Sequence, residues 1–495
     1  MGMEPNHRAI SLRNVIVRAM LFGVFILLLR FVYVVTIQDV SETFNLIGIE
    51  PALKRSFRSS VDQYFQFPVG ETVDESQKRL WTSKNWRKTV DFYSLSFQDL
   101  LKQSLISSQS KALCVGTKDG QDVLALKELG VSDSIGISLN PSPPLVIYGD
   151  LFQQPFPEDT FDFEFSGNLD STHLPENLAS EMVRTLKPGG VLVLQTSHAK
   201  DMYSFNSFID LFKYCRVLQS RERNTTSLGV LREIVLIKDE NPYMDVVSES
   251  VNQCSVPEHK RKIARMAEPL IMEEPLKPWL TLKRNIKNIK YLSSMVDISF
   301  KRKYVYIDVG SRSYGSSIGS WFKKQYPKQN KTFEVFAIEA DKTFHEEYSK
   351  KKGVKLVPKA AWVRDEMLRF EINGEDSGNG RGMGRIQMDG SNVQGRREVV
   401  EIEGFDFAKW VKSNVDKRDY VVMKMDVEGT EFDLLPNLFE TGAICLIDEI
   451  FLECHYNRWQ KCCPERSKKY KKTYGDCMNL FTSLRESGVL VHQWW

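Results

Sequence analysis

Apolar and polar positions along the chain fall into three regimes. Val15–Ile37 is apolar almost without a break, about long enough to cross a hydrocarbon core of ~30 Å. Between residues 110 and 200 the apolar runs become short: Lys111–Val115, Ser134–Leu139, Val146–Tyr148, Thr160–Phe165 and Val191–Gln195, with helical stretches between some of them. A similar series starts again at Lys303, with Tyr304–Val309, Glu334–Ile338, Tyr420–Met425 and Ile447–His455. Strands that alternate with helices predict parallel sheets. The fold class expected is therefore α/β, with one domain over 101–240 and another over 302–495. Residues 38–100 read as a stem whose aromatics, Trp81 and Trp86 among them, argue against a solvated linker. Residues 241–301, charged and carrying Pro257, Pro269, Pro275 and Pro278, read as a connection. Gly374–Gly395, rich in Gly, Asp, Asn and Ser, reads as a long loop of the kind that builds lids and binding segments.

A chain of 495 residues exceeds one ordinary core, which agrees with two domains. Its net charge of +3 is small for that length, so nucleic acid is not an implied partner. Around the apolar run the charges are asymmetric. His7, Arg8, Arg13 and Arg18 lie at or before its start, and Asp39, Glu42 and Glu50 follow it. The positive-inside rule then predicts a single-pass type II membrane protein, with residues 1–14 cytosolic, 15–37 the anchor and the rest lumenal. Arg30 lies in the far half of the span and can snorkel outward. A lumenal location makes glycosylation sequons of Asn224-Thr225-Thr226 and Asn330-Lys331-Thr332. It also favours disulfides among Cys454, Cys462, Cys463 and Cys477, with the connectivity open. Zinc held by these cysteines and His455 is the weaker alternative, since no paired C-x-x-C spacing supports it.

The candidate chemistry lies at strand ends. In an open parallel sheet, ligands bind outside the carboxyl ends of the strands where strand order reverses. Tyr304–Val309 contains Asp308 and runs into Gly310, Gly315 and Gly319. Glu334–Ile338 ends on Glu339, and Tyr420–Met425 ends on Asp426, with Glu428 and Gly429 close behind. Glycines allow backbone to approach a cofactor, and an acid at the second strand end can hold two ribose hydroxyls. Asp308, Gly310, Gly315, Glu339 and Asp426 are therefore the cofactor-binding candidates. The glycine spacing does not spell G-x-G-x-x-G, which argues against a nicotinamide cofactor.

Two resemblances add to this reading. Glu181 to Leu194, EMVRTLKPGGVLVL, with Gly149-Asp150-Leu151 and Phe161-Asp162-Phe163, resembles class I S-adenosylmethionine-dependent methyltransferases over Ser110–His198. This domain departs from the family where cofactor is gripped. Cys114 stands where an acid precedes the first glycine, and Ser138 stands where the family has its ribose-binding acid. A serine cannot accept two hydroxyls as a carboxylate does, so a weakened site is expected. In the second domain Asp426-Val427-Glu428-Gly429-Thr430-Glu431 resembles the FkbM-type methyltransferases. Lys303–Trp495 as a whole resembles the C-terminal half of a plant group of membrane-anchored, methyltransferase-like proteins, which also end in Cys-Cys-Pro and His-Gln-Trp-Trp segments.

The resemblances imply two Rossmann-like methyltransferase domains behind an anchor in the Golgi or endoplasmic reticulum, with S-adenosylmethionine as cofactor. The expected reaction is O-methylation of a hydroxyl or carboxyl on a glycan or small metabolite. A non-enzymatic membrane scaffold is the alternative. The catalytic candidates are His455, Glu428 and Asp426: His455 as the natural general base, with an unperturbed pKa of ~6.5, and Glu428 as the alternative base. Asp426 and Glu453 could hold Mg²⁺ to orient the acceptor. The plainer readings make His455 a core histidine beside a disulfide, and Glu431 and Asp433 first-turn helix acids.

Overall fold

A computed structural model describes residues 75–167, 169, 172, 174–225, 229–240, 256–274, 287–373, 384–387, 397–457 and 470–494. The expected anchor, most of the stem, and Cys462 and Cys463 lie outside these residues. Among the described residues, no helix is long and apolar enough to cross a membrane.

The first sheet has seven strands in the order β3-β2-β1-β4-β5-β7-β6. They are β1 Ala112–Val115, β2 Ser134–Ser138, β3 Val146–Tyr148, β4 Phe161–Ser166, β5 Leu186–Thr196, β6 Cys215–Thr225 and β7 Gly229–Lys238. Strands β1 to β5 are parallel, whereas β7 runs antiparallel to both β5 and β6. Every β1 residue is buried, and Leu113 and Val115 pack with Ile137, Leu192 and Leu194, as the apolar run requires. Lys187–Gly190 is taken into β5 as a bulge. Phe161 pairs with Leu186 and Phe163 with Val191, so the intervening residues leave the ladder, and Gly189 takes a left-handed φ of +74°.

The second sheet has six strands, all parallel, in the order β10-β9-β8-β15-β16-β17. They are β8 Tyr304–Val309, β9 Phe333–Ile338, β10 Val354–Val357, β15 Tyr420–Met425, β16 Glu449–Leu452 and β17 Leu490–Gln493. Alternation along β8 and β15 sends Val305, Ile307, Val421 and Met423 into one core, and Tyr306, Tyr420 and Val422 into the core on the opposite face. Chain order reverses between β8 and β15, the place where an open sheet forms its binding crevice.

A four-stranded sheet, β11-β14-β12-β13, is inserted between β10 and β15. It comprises β11 Ala360–Trp362, β12 Glu366–Asn373, β13 Arg385–Ile386 and β14 Arg397–Asp406. Arg385 and Ile386 fall within the segment expected as one uninterrupted loop. They pair instead with Glu371 and Phe370, so that loop is stitched to a sheet in its middle.

The segment expected as a connection carries the helix Glu258–Ala264 and packs Ile289, Leu292 and Val296 under the second sheet. Its Glu268 meets the fully buried imidazole of His492 at 2.8 Å, and Glu449 meets the other ring nitrogen at 2.9 Å. The two domains touch through Tyr203, whose hydroxyl donates to Asp448 at 2.8 Å, and the connection packs into the first domain's core through Phe300 against Phe208 at 4.6 Å. One expected disulfide is present, Cys454 to Cys477.

Candidate functional site

The switch point holds a cavity of about 300 Å³, at the low end of small-molecule sites. Its floor is the ends of β8, β9 and β15, and its far wall is the inserted sheet, through Ala361, Phe370 and Ile386. Of the cofactor candidates, Gly310, Glu339 and Asp426 line it.

Gly310 is required by its surroundings. It sits at φ +76°, and a Cβ there would lie 1.9 Å from the carbonyl oxygen of Asp426. Two strand ends approach this closely only because one of them has no side chain. Gly315 differs from the expectation: it is exposed, lies outside the cavity, and has no atom within 4 Å of where its Cβ would be. Asp308 also lies behind the cavity rather than in it. It is fully buried, accepts from Ser317 Oγ and Tyr306 OH, and faces Lys424 Nζ at 3.6 Å. In-register pairing of Lys424 with Asp308 on adjacent strands explains that contact. Asp308 thus anchors the loop and the lysine from behind the cavity.

Glu339 is held in place by two backbone donors. Arg312 N–H reaches one carboxylate oxygen at 2.6 Å and Asp341 N–H the other at 2.7 Å. Burial pushes its carboxyl up to about 7 against the pull of those bonds. Two lone-pair sites remain for ligand hydroxyls, the donor pattern a ribose presents.

The catalytic candidates come together on the β15 and β16 side. After Asp426 the chain turns with Glu428 at φ +52° and Gly429 at φ +110°, so that Glu428 faces the cavity. Tyr470 OH donates to Glu428. His455 Nε2 lies 3.7 Å from Asp426, 3.8 Å from Glu428 and 3.9 Å from Glu453. Its other nitrogen, Nδ1, is 3.3 Å from Glu431. Burial alone would pull the imidazole down, but Glu428, Glu431 and Glu453 outweigh it and hold its pKa at about 10. This opposes the base role expected for His455, because an imidazole that keeps its proton at neutral pH cannot take another. Burial and the charge of Asp426 push the Glu453 carboxyl up.

Several members of this cluster escaped sequence reasoning. Glu431 is in the first helical turn as expected, yet it is fully buried and accepts the backbone N–H groups of both Gly429 and His455. Lys424 bridges Asp308 and Asp426, at 3.3 Å from the latter. A lone lysine in the otherwise apolar run YVVMKM was its available signal. Tyr470 arrives from a distant loop, and nothing local marks it. The Mg²⁺ expected on Asp426 and Glu453 meets a different donor set, because His455 brings a nitrogen within 4.8 Å of both, and Mg²⁺ prefers oxygen alone.

In the first domain the corresponding turn is packed by its own side chains. A Cβ at Gly120 would fall 2.8 Å from Leu145 Cβ. Thr117 is committed to Asp122 at 2.5 Å, and Ser138 Oγ accepts from Asn140 N at 3.2 Å.

Residues 113–194 match a methyltransferase domain family. The first domain has the Rossmann-like methyltransferase fold. A domain of this kind implies S-adenosylmethionine as its cofactor. Residues 264–371 and 384–495 match a domain of unknown function, DUF7870. A demethylmenaquinone methyltransferase from Lysinibacillus sphaericus is 34% identical over 134 residues, 23% of this chain and 57% of that protein. The chain therefore spans little more than half of that relative's length. Solved structures that match include an S-adenosylmethionine-dependent methyltransferase from Methanosarcina mazei, 16% identical, covering 28% of this chain and 97% of that one, with a TM-score of 0.24. The YcgJ protein from Bacillus subtilis is 14% identical over 30% of this chain and 99% of that one, with a TM-score of 0.25.

Proposed function

We propose that the second domain is an S-adenosylmethionine-dependent O-methyltransferase of FkbM type, and that the first serves mainly as its scaffold. The carrying observation is Glu339, a carboxylate fixed by two backbone N–H groups at the second strand end and aimed into the switch-point cavity. Glu339 would hold the ribose, and Gly310 would let the backbone approach. The cofactor, when bound, supplies an electrophilic methyl group. Glu428, on the cavity wall, takes the acceptor's proton in place of His455. His455 and Lys424 fix the carboxylates around it.

The acceptor is a neutral hydroxyl in preference to a carboxyl. Glu339, Asp341, Asp426, Glu428 and Glu453 line the cavity against Arg312 and Lys359, and an anionic acceptor would meet like charge. A glycan or a small polyhydroxylated metabolite fits that chemistry. The Cys454–Cys477 disulfide and the exposed sequon residue Asn330 support a lumenal, secretory-pathway setting behind the Val15–Ile37 anchor.

Calorimetric titration of the full chain with S-adenosylmethionine tests this reading. One site is expected, lost in Glu339→Ala. Absence of binding, or binding that Glu339→Ala leaves unchanged, overturns it. Binding that survives Glu339→Ala but is strengthened by Ser138→Asp would move the cofactor to the first domain.

A further inference from the structure

We propose that Asp426, Glu453 and His455 form a site for a divalent transition-metal ion, with Mn²⁺ the best-matched probe. Each residue offers one ligand atom, and the three atoms lie within 4.8 Å of one another. Acidic clusters are common without ions, so the weight falls on His455. Its side chain is 9% exposed, and Nε2 points at three carboxylates standing at 3.7, 3.8 and 3.9 Å. All three distances exceed a hydrogen bond. A plain ion pair would close one of them to ~2.8 Å. Even spacing around one nitrogen leaves a gap that a small cation would fill.

The back of the ring faces a buried carboxylate. Glu431 lies 3.3 Å from Nδ1, accepts the His455 backbone N–H, and is itself fixed by Gly429 N–H at 2.9 Å. A carboxylate behind one ring nitrogen orients the other toward a metal. Lys424 steadies Asp426 in the same way, at 3.3 Å. Metal–ligand bonds of ~2.0–2.2 Å place neighbouring donor atoms ~3.0–3.6 Å apart, so the 3.7 and 3.9 Å contacts of Nε2 have to close by under ~1 Å and a pair at the 4.8 Å limit by ~1.2–1.8 Å. One imidazole with two carboxylates favours Mn²⁺, Fe²⁺ or Zn²⁺ over Mg²⁺. Glu428 stays outside the triad, tied to Tyr470.

The site shares the cavity of the methyl-transfer reading, yet metal binding is measured without cofactor or acceptor, so either claim can fail alone. Chelator-stripped full chain is titrated with MnCl₂ and followed by electron paramagnetic resonance, with pulsed detection of ¹⁴N coupling. The expected result is one bound Mn²⁺ per chain with an imidazole ¹⁴N signal, and affinity at least ~10-fold lower in Glu453→Gln. Glu453→Gln removes a like charge from the cluster, so its fold should hold; His455→Gln gives a second check through loss of the ¹⁴N signal. Three results overturn the proposal: Mn²⁺ that stays hexaaqua, binding without ¹⁴N coupling, or equal displacement by an equimolar amount of Mg²⁺. Loss of S-adenosylmethionine binding in Glu339→Ala with Mn²⁺ binding retained would support two separate subsites.

Discussion

Replacing Gly310 by alanine puts the proposed cavity under its most direct test. The added methyl would stand 1.9 Å from the Asp426 carbonyl oxygen, where carbon–oxygen contacts are normally ~3.3–3.6 Å. The β8 and β15 ends would have to part by over ~1 Å. One hydrogen bond joins them there, Asp426 N to Val309 O at 2.9 Å, and a second ties Gly310 N to Ile338 O at the end of β9 at 3.0 Å, each worth ~1 kcal/mol. The left-handed φ of +76° adds ~1–2 kcal/mol for any residue with a Cβ. Gly310→Ala should therefore lose ~3–4 kcal/mol, and displacing Asp426 by about 1 Å should cut any turnover ~100-fold. Gly315→Ala is the matched control. With no atom within 4 Å of its Cβ position and no left-handed φ, it should be neutral or gain ~0.4–1 kcal/mol through the unfolded state. Urea unfolding of both variants, with calorimetry against S-adenosylmethionine, provides the readout. If Gly310→Ala matched Gly315→Ala in stability and affinity, the close approach of the strand ends would be refuted as the cause of the glycine.

Other consequences are equally open to measurement. The raised carboxyl of Glu339 makes S-adenosylmethionine affinity rise with pH through about 7, because the ionised form accepts the ribose hydroxyls; a flat profile between pH 6 and 8 would oppose this. For stability the sign reverses. A folded pKa raised above the unfolded value favours folding fully below ~4.5 and loses that favour as pH climbs through about 7. Glu339→Gln should then be more stable than the native chain at pH 8, by up to about 3 kcal/mol, and show no such gain at pH 4. Glu431→Ala strands the backbone donors of Gly429 and His455 and should lose ~2–4 kcal/mol in urea unfolding. Replacing Cys454 and Cys477 by serine opens a loop with a sequence separation of 23 residues and should lose ~3 kcal/mol; a loss under ~1 kcal/mol would show the disulfide to be dispensable.

Much of the fold is local in origin and could be read along the chain. Apolar runs such as Tyr304–Val309 and Tyr420–Met425 are buried on both faces, so their composition alone marks central parallel strands. The acids at strand ends could be read for the same reason, since a charge that closes a buried run has to face solvent or a ligand. The β6–β7 hairpin and the β13 strand within Gly374–Gly395 were less legible, because a two-residue strand like Arg385–Ile386 exists only through its partner.

Tertiary structure alone decided what each acid does. Glu339 and Asp308 both close or sit near strand ends, yet one faces the cavity and the other is buried beneath it, a difference set by which neighbour lies across the sheet. His455 looked like a base from its ordinary pKa, and only the convergence of Asp426, Glu428, Glu431 and Glu453 around it showed acids that favour its protonated form unless a cation takes the proton's place. Proximity among residues far apart in sequence is a property of the folded sheet. The chain by itself therefore determined which strands form and which chemical groups stand at their ends. Packing determined which of those groups meet, and electrostatic fields at a few ångströms then determined their protonation.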